Sequence, residues 1–116
     1  MIEVALAIAY TMIDTFPQDP LSSPLSKEQQ KECTLACISP LLSGYLSSFP
    51  LTSVELEALP TLCLSRIAQS VTLSTYSFSQ NPDNTYLLDS VARGTAVLRL
   101  LLDPLVEQEY KAAFTQ

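Results

Sequence analysis

The sequence predicts an all-α fold, five or six helices forming one compact helical domain over residues 1–116, with a nearly all-apolar central helix at its N-terminal end. Three observations lead there. Apolar residues recur at helical spacing, as in Leu35, Ile38, Leu42 and Leu46 and again in Leu56, Leu59, Leu62, Ile67 and Val71. Ser26 with Gln29, and Thr52 with Glu55, each read as a capping box, in which two side chains satisfy free amides of a helix start. No stretch shows the period-two alternation of strands between closely spaced turn signals.

The first helix is predicted over Ile2 to Asp14, where Ala, Leu, Ile, Val and Met leave almost no polar position. A helix apolar nearly all round is buried on most sides. Thr15 to Pro24 holds three prolines and two serines and predicts an extended connection. A second helix starts near Lys27 and runs to about Ser48, with Pro40 predicting a kink or a division into two short helices. The longest helix opens after Thr52 and runs towards Phe78, with a bend or restart expected at Pro60. Gln80 to Asn84 is turn chemistry, because Asn and Asp bond their own backbone and Pro82 fixes a dihedral. A further helix begins at Tyr86, weakened by Gly94, and a last one begins at Pro104 and ends near Phe114.

Composition narrows the function. The chain of 116 residues is 47% hydrophobic and only 16% charged, too apolar for disorder and poor in charge for a solitary domain, so some apolar surface is expected to seek a partner. There is no histidine, which removes Ser-His-Asp and Cys-His nucleophilic sites, HExxH zinc sites and every imidazole acid or base. With Gly44 and Gly94 alone, neither a P-loop nor a GxGxxG turn can be built. The net charge of −6 repels phosphate backbones and anionic lipid, so neither nucleic acid nor a membrane is expected as partner. The uncharged run from Val4 to Ile13 is too short to span a bilayer, and no basic n-region marks a secretory leader. Three cysteines, Cys33, Cys37 and Cys63, cannot all pair within the chain, which points to a reducing cytoplasmic setting.

Each chemical constellation has a plainer packing explanation. Cys33 and Cys37 share a helix face, but Cys63 is the one spare soft ligand and a structural zinc takes four, so core packing is the expected role and no metal is expected. Asp83, Asn84 and Asp89 lack the carboxylates of a cation site and read as turn and helix cap. Tyr10, Tyr45, Tyr76 and Tyr86 are expected in the core or at its edge. Arg66, Gln69, Ser70 and Tyr76 lie at helical spacing, forming either a solvated face or one wall of a polar pocket. No nucleophile, base and orienting group assemble, so on chemistry alone the chain is not an enzyme.

Several blocks carry a resemblance. Glu3 to Met12, Gly44-Tyr45 leading to Phe49-Pro50-Leu51-Thr52, Glu55 to Pro60, Ser65 to Ser70, and Asn81 to Leu88 together resemble the C-terminal helical lobe of aminoglycoside-phosphotransferase-like and choline-kinase-like enzymes, which share the protein-kinase-like fold. The branch is similar to the hydroxylysine-kinase-like or homoserine-kinase-like group. The resemblance covers roughly Ile2 to Asp103, and the stretch from Asp14 to Gly44 is longer than the family pattern. It implies ATP and magnesium as cofactors of an intact enzyme. In the family the catalytic Asp and metal ligands lie in an HxDxxxxN loop and a DFG-like motif ahead of the first helix seen here, so no catalytic residue carries over and no cofactor is expected on this chain alone.

The expectation is therefore a truncated or fragmentary substrate-binding and support lobe of a small-molecule kinase, without activity of its own. Arg66, Gln69, Tyr76 and Asn84 are the candidate wall of its acceptor pocket, and the acidic surface suits an amine-bearing acceptor. The expected partners are the missing N-terminal catalytic region or a second copy, joined through an apolar face. The alternative is a free-standing helical protein–protein interaction module.

Overall fold

The computed structural model describes residues 1–16 and 26–115. The described residues form six α-helices and no strand: α1 (Ile2–Thr15), α2 (Lys27–Leu35), α3 (Ile38–Leu46), α4 (Ser53–Gln80), α5 (Thr85–Leu101) and α6 (Pro104–Ala112). The all-α reading holds. The connection expected over Thr15 to Pro24 lies almost wholly outside the described residues.

Local chemistry explains most helix boundaries. Both capping boxes form: Ser26 Oγ accepts from the Gln29 amide while Gln29 Oε1 accepts from the Ser26 amide, and Thr52 and Glu55 repeat the exchange at the start of α4. The Thr52 amide and hydroxyl hold the Glu55 carboxyl below its ordinary range. Between the two outcomes expected at Pro40, the chain divides. Helix α2 ends at Leu35 and α3 restarts at Ile38, so Pro40 falls in a first turn, where its missing N–H has no intrahelical partner to lose. No restart occurs at Pro60, which lies inside an unbroken α4 and is itself buried. Helix α6 takes the arrangement favoured at helix starts, with the Asp103 carboxylate capping the Leu105 amide and Pro104 in the first turn.

Helix α1 is central, as its composition predicts. Val4, Ala5, Ile8, Ala9, Met12 and Ile13 are buried, packed among Ile38 and Leu42 of α3, Leu59, Cys63 and Ile67 of α4, and Val97, Leu100 and Leu101 of α5. Small residues permit the closest approach, with Cys63 Sγ only 3.7 Å from the Ala5 carbonyl. Helix α6 closes the far end through Val106 and Tyr110, whose hydroxyl donates to the Pro60 carbonyl at 2.7 Å. Burial raises the Tyr110 phenol above its ordinary value.

Ion pairs lock α2 in place. Lys31, only 7% exposed, reaches Glu109 of α6 at 2.8 Å and Glu28 at 2.9 Å, and the Glu109 carboxylate raises its pKa. Lys27 pairs with Asp103, which keeps the Asp103 carboxyl below its ordinary value.

The 28-residue α4, about 42 Å long at 1.5 Å per residue, matches the 44 Å long axis of the molecule. Its partner α5 returns alongside it. Gly94 does not weaken this pairing but enables it, since a Cβ there would meet Val71 Cγ2 at 2.6 Å. Beyond that crossing the hairpin leaves the core: between Ala68 and Arg93 no residue is fully buried.

Candidate functional site

Helices α1 and α4 lie side by side and leave a groove between them of about 440 Å³, lined by Ile2, Ala5, Leu6, Leu62, Ser65, Arg66 and Gln69. The groove follows from two stripes. On α1, Ile2, Leu6 and Tyr10 recur every fourth residue along the flank that the core leaves uncovered, with Ile2 67% and Tyr10 41% exposed. On α4, Leu62, Arg66, Gln69, Leu73 and Tyr76 alternate steps of four and three, which confines them to an arc of about 80° at 100° per residue. Leu73 and Tyr76 continue the stripe past the groove and are 56% and 66% exposed.

A small polar cluster interrupts this apolar surface. Arg66 Nη1 donates to Gln69 Oε1 at 2.6 Å, and Nη2 donates to the Tyr10 hydroxyl at 3.2 Å. The guanidinium carbon sits 5.8 Å from the Tyr10 ring centroid, within the range of cation–π attraction. Arg66 Nε is buried and has no acceptor among the described residues. A buried donor left unpaired costs about 1–3 kcal/mol. Arg66 also has no carboxylate within ion-pairing distance among the described residues, unlike Lys27, Lys31, Arg93 and Lys111. From Ala58 to Gln80 it is the one charged residue of α4.

The structure brings together two of the four predicted wall residues. Arg66 and Gln69 are hydrogen-bonded to each other, and Tyr76 lies on the same stripe about two turns further on. Asn84 is elsewhere. It precedes α5 at the far end of the hairpin, where it makes no side-chain capping bond, and the helix alone places the end of α4 about 20 Å from Arg66. Sequence reasoning missed Tyr10 as the third member of the cluster. The available signal was its four-residue spacing from Leu6, on the flank of α1 that Ile2 and Leu6 also occupy.

Other predicted roles change with their surroundings. Tyr76 and Tyr86 were expected at the core and are exposed; the deeply buried tyrosine is Tyr110. Cys33 is exposed rather than packed, Cys37 is half-buried and Cys63 is buried. Burial pushes the Cys63 thiol up to about 12, which leaves it protonated and unreactive at neutral pH. Asp89 pairs with Arg93 at 3.2 Å instead of meeting Asp83 and Asn84 around a cation.

Among the described residues no three His, Cys, Asp or Glu side chains converge as metal ligands. Gly44 and Gly94 both lie inside helices, so neither opens a phosphate loop. Among the described residues no helix is long and apolar enough to cross a membrane.

Comparisons with known proteins agree with the block resemblance at a coarse level. The chain is 32% identical over 102 residues to hydroxylysine kinase of Mus musculus, a match that takes in 87% of this chain and 23% of that enzyme. The chain thus spans less than a quarter of the relative it matches. No protein-family model matches it, and no solved structure does.

Proposed function

We propose that this chain is the helical support lobe of a small-molecule phosphotransferase related to hydroxylysine kinase, with phosphoryl transfer carried out by residues outside these 116 positions. The observation that carries this reading is the 102-residue match to that kinase. Supporting it, the blocks Glu3 to Met12 and Ser65 to Ser70 fall on α1 and α4, the two helices that line the groove. Phosphoryl transfer needs positioned metal ligands and a base near the acceptor hydroxyl, and the residues around Arg66 offer neither. What they offer is donors: the Arg66 guanidinium, the Gln69 amide and the Tyr10 hydroxyl. In this role Arg66 and Gln69 form one wall of the acceptor site or of its seam with the catalytic part.

The test is turnover. Incubated with ATP, magnesium and hydroxylysine, the chain alone is expected to give no phosphorylated product above background by mass spectrometry. Adding the HxDxxxxN-bearing portion of a hydroxylysine-kinase-like enzyme that lacks its own helical lobe is expected to give turnover. Robust product from the chain alone would refute the proposal.

A second reading, a free-standing interaction module, is favoured by one specific observation. The exposed stripe continues along α4 through Leu73 and Tyr76, further than a small-molecule acceptor reaches.

A further inference from the structure

Helices α2 and α3 are neighbours of equal length, nine residues each, yet they are held to the core in different ways. Helix α3 carries no charge and docks through Ile38 and Leu42, both fully buried. The two buried residues of α2 are Lys31 and Thr34. Thr34 donates its hydroxyl to the Gln30 carbonyl of its own helix at 2.8 Å, so that donor is used within α2. Leu35, half-buried at the last position, is the one aliphatic side chain that α2 has.

What joins the rest of α2 to the molecule is charge. Lys31 reaches Glu109 of α6, and Lys27 reaches Asp103 at the start of α6. Glu28 adds a partner to Lys31 from α2 itself. Lys27, Glu28 and Glu109 are each more than half exposed, so water and salt screen these pairs. Close packing does not reinforce them at the N-terminal half of the helix. There Lys27 and Gln30 face Phe16, Arg99 and Leu100 across a cavity of about 430 Å³, a gap in which dispersion contacts are forfeited. Arg99 brings a second cation to that cavity.

We infer that α2 is an ionic strap, which swings off the core about the Ala36–Cys37 junction when its pairs to Asp103 and Glu109 are weakened, while α3 and the core stay folded. The junction is where α2 has ended and α3 restarts, and the fully buried Ile38 pins its far side. Opening removes the Lys27 and Gln30 wall from Phe16 and Leu100, which are buried while α2 is docked. A helix of nine residues is too short to persist without its contacts, so release also loosens α2 internally. None of this depends on phosphoryl transfer or on the groove between α1 and α4.

The experiment is hydrogen exchange of the full chain at neutral pH, read by mass spectrometry in about 0.01 M and about 1 M sodium chloride, between which the Debye length falls from about 30 Å to about 3 Å. Rates are referred to an unstructured peptide in the same salt. Amides of α2 from Lys31 to Leu35 are expected to exchange about tenfold faster in the higher salt, while those from Leu42 to Leu46 and from Leu59 to Ile67 stay within about twofold. Asp103→Asn combined with Glu109→Gln removes both opposing charges, and asparagine still caps α6. In that double variant α2 is expected to exchange at the fast rate in both salts. Should it fail to fold, the salt comparison on the unaltered chain decides by itself. Exchange of α2 that ignores salt, α2 unprotected even at low salt, or an acceleration shared by α3 and by Leu59 to Ile67 would overturn the inference. So would a folded double variant whose α2 is still protected.

Discussion

The two ends of the α4–α5 hairpin are built on opposite principles. At the inner end, Leu59, Cys63 and Ile67 of α4 and Val97, Leu100 and Leu101 of α5 close around α1 and are all buried. At the outer end, Ala68 to Arg93, only half-buried residues such as Val71, Phe78, Leu87 and Val91 line the seam, and serine and threonine occupy much of the rest. One continuous helix thus begins as core and ends as surface. The difference teaches that burial is divided along its length: packing against α1 holds the inner end, and the outer end leaves most of its side chains exposed.

The largest effects are expected from the inner end. Ile8 is fully buried in the middle of α1, and Ile8→Ala should cost about 2–5 kcal/mol of unfolding free energy by denaturant titration, whereas Leu73→Ala should cost less than about 0.5 kcal/mol. Equal losses would erase the contrast. The crossing between the two ends comes next. Gly94→Ala is expected to destabilise by about 1–2 kcal/mol despite alanine's better helix propensity, because its methyl group meets the stiff Val71 side chain. Val71→Ala in the same chain should recover most of that loss, and failure to recover would place the strain elsewhere. A smaller effect is expected at the α6 end, where Tyr110→Phe removes the bond to the Pro60 carbonyl and should cost about 1 kcal/mol.

The pH profile sharpens the same division. Glu55, Asp103 and Glu107 titrate below their ordinary values in the folded chain, held by the Thr52 amide, by Lys27 and by Lys111 respectively. Their contribution is present above the ordinary carboxylate range, 3.8 for Asp and 4.5 for Glu, and is lost as pH falls through the lowered values. Cys63 and Tyr110 are raised by burial from 9.0 and 10.0. The folded state holds their protons longer than the unfolded chain does, so stability falls as pH rises above 9.0. The Met1 ammonium is raised from 8.0 by its bond to the Tyr45 hydroxyl, so thermal melts should show a plateau between about pH 5 and pH 8 with losses on both sides. Part of the alkaline loss belongs to the inner end, and Cys63→Ala should reduce it.

Much of this fold was legible in the sequence, for reasons that are local. The capping boxes at Ser26 and Thr52, the apolar run of α1 and the turn at Asn81 to Asn84 each act within a few residues, so spacing alone revealed them. The packing roles of Pro60 and Gly94 were not legible because they depend on partners far along the chain: Tyr110 binds the Pro60 carbonyl, and Val71 fills the space a Gly94 side chain would need. The candidate site divides in the same way. Arg66 and Gln69 were readable from their spacing on one helix. Tyr10 was not, because its bond to Arg66 joins residues 56 positions apart. Asn84 shares a sequence block with the helix it precedes but lies at the wrong end of the hairpin for a common site.

The division of α4 is tested most directly by native-state hydrogen exchange of the chain alone, followed by mass spectrometry. Amides of α1 and of the α4 segment from Leu59 to Ile67 are expected to exchange only through global unfolding. Those from Leu73 to Gln80 are expected to exchange at least about tenfold faster, through openings that cost roughly 1.4 kcal/mol less or lower still. Uniform protection along the whole of α4 would contradict the division and show that the outer end is as firmly held as the core.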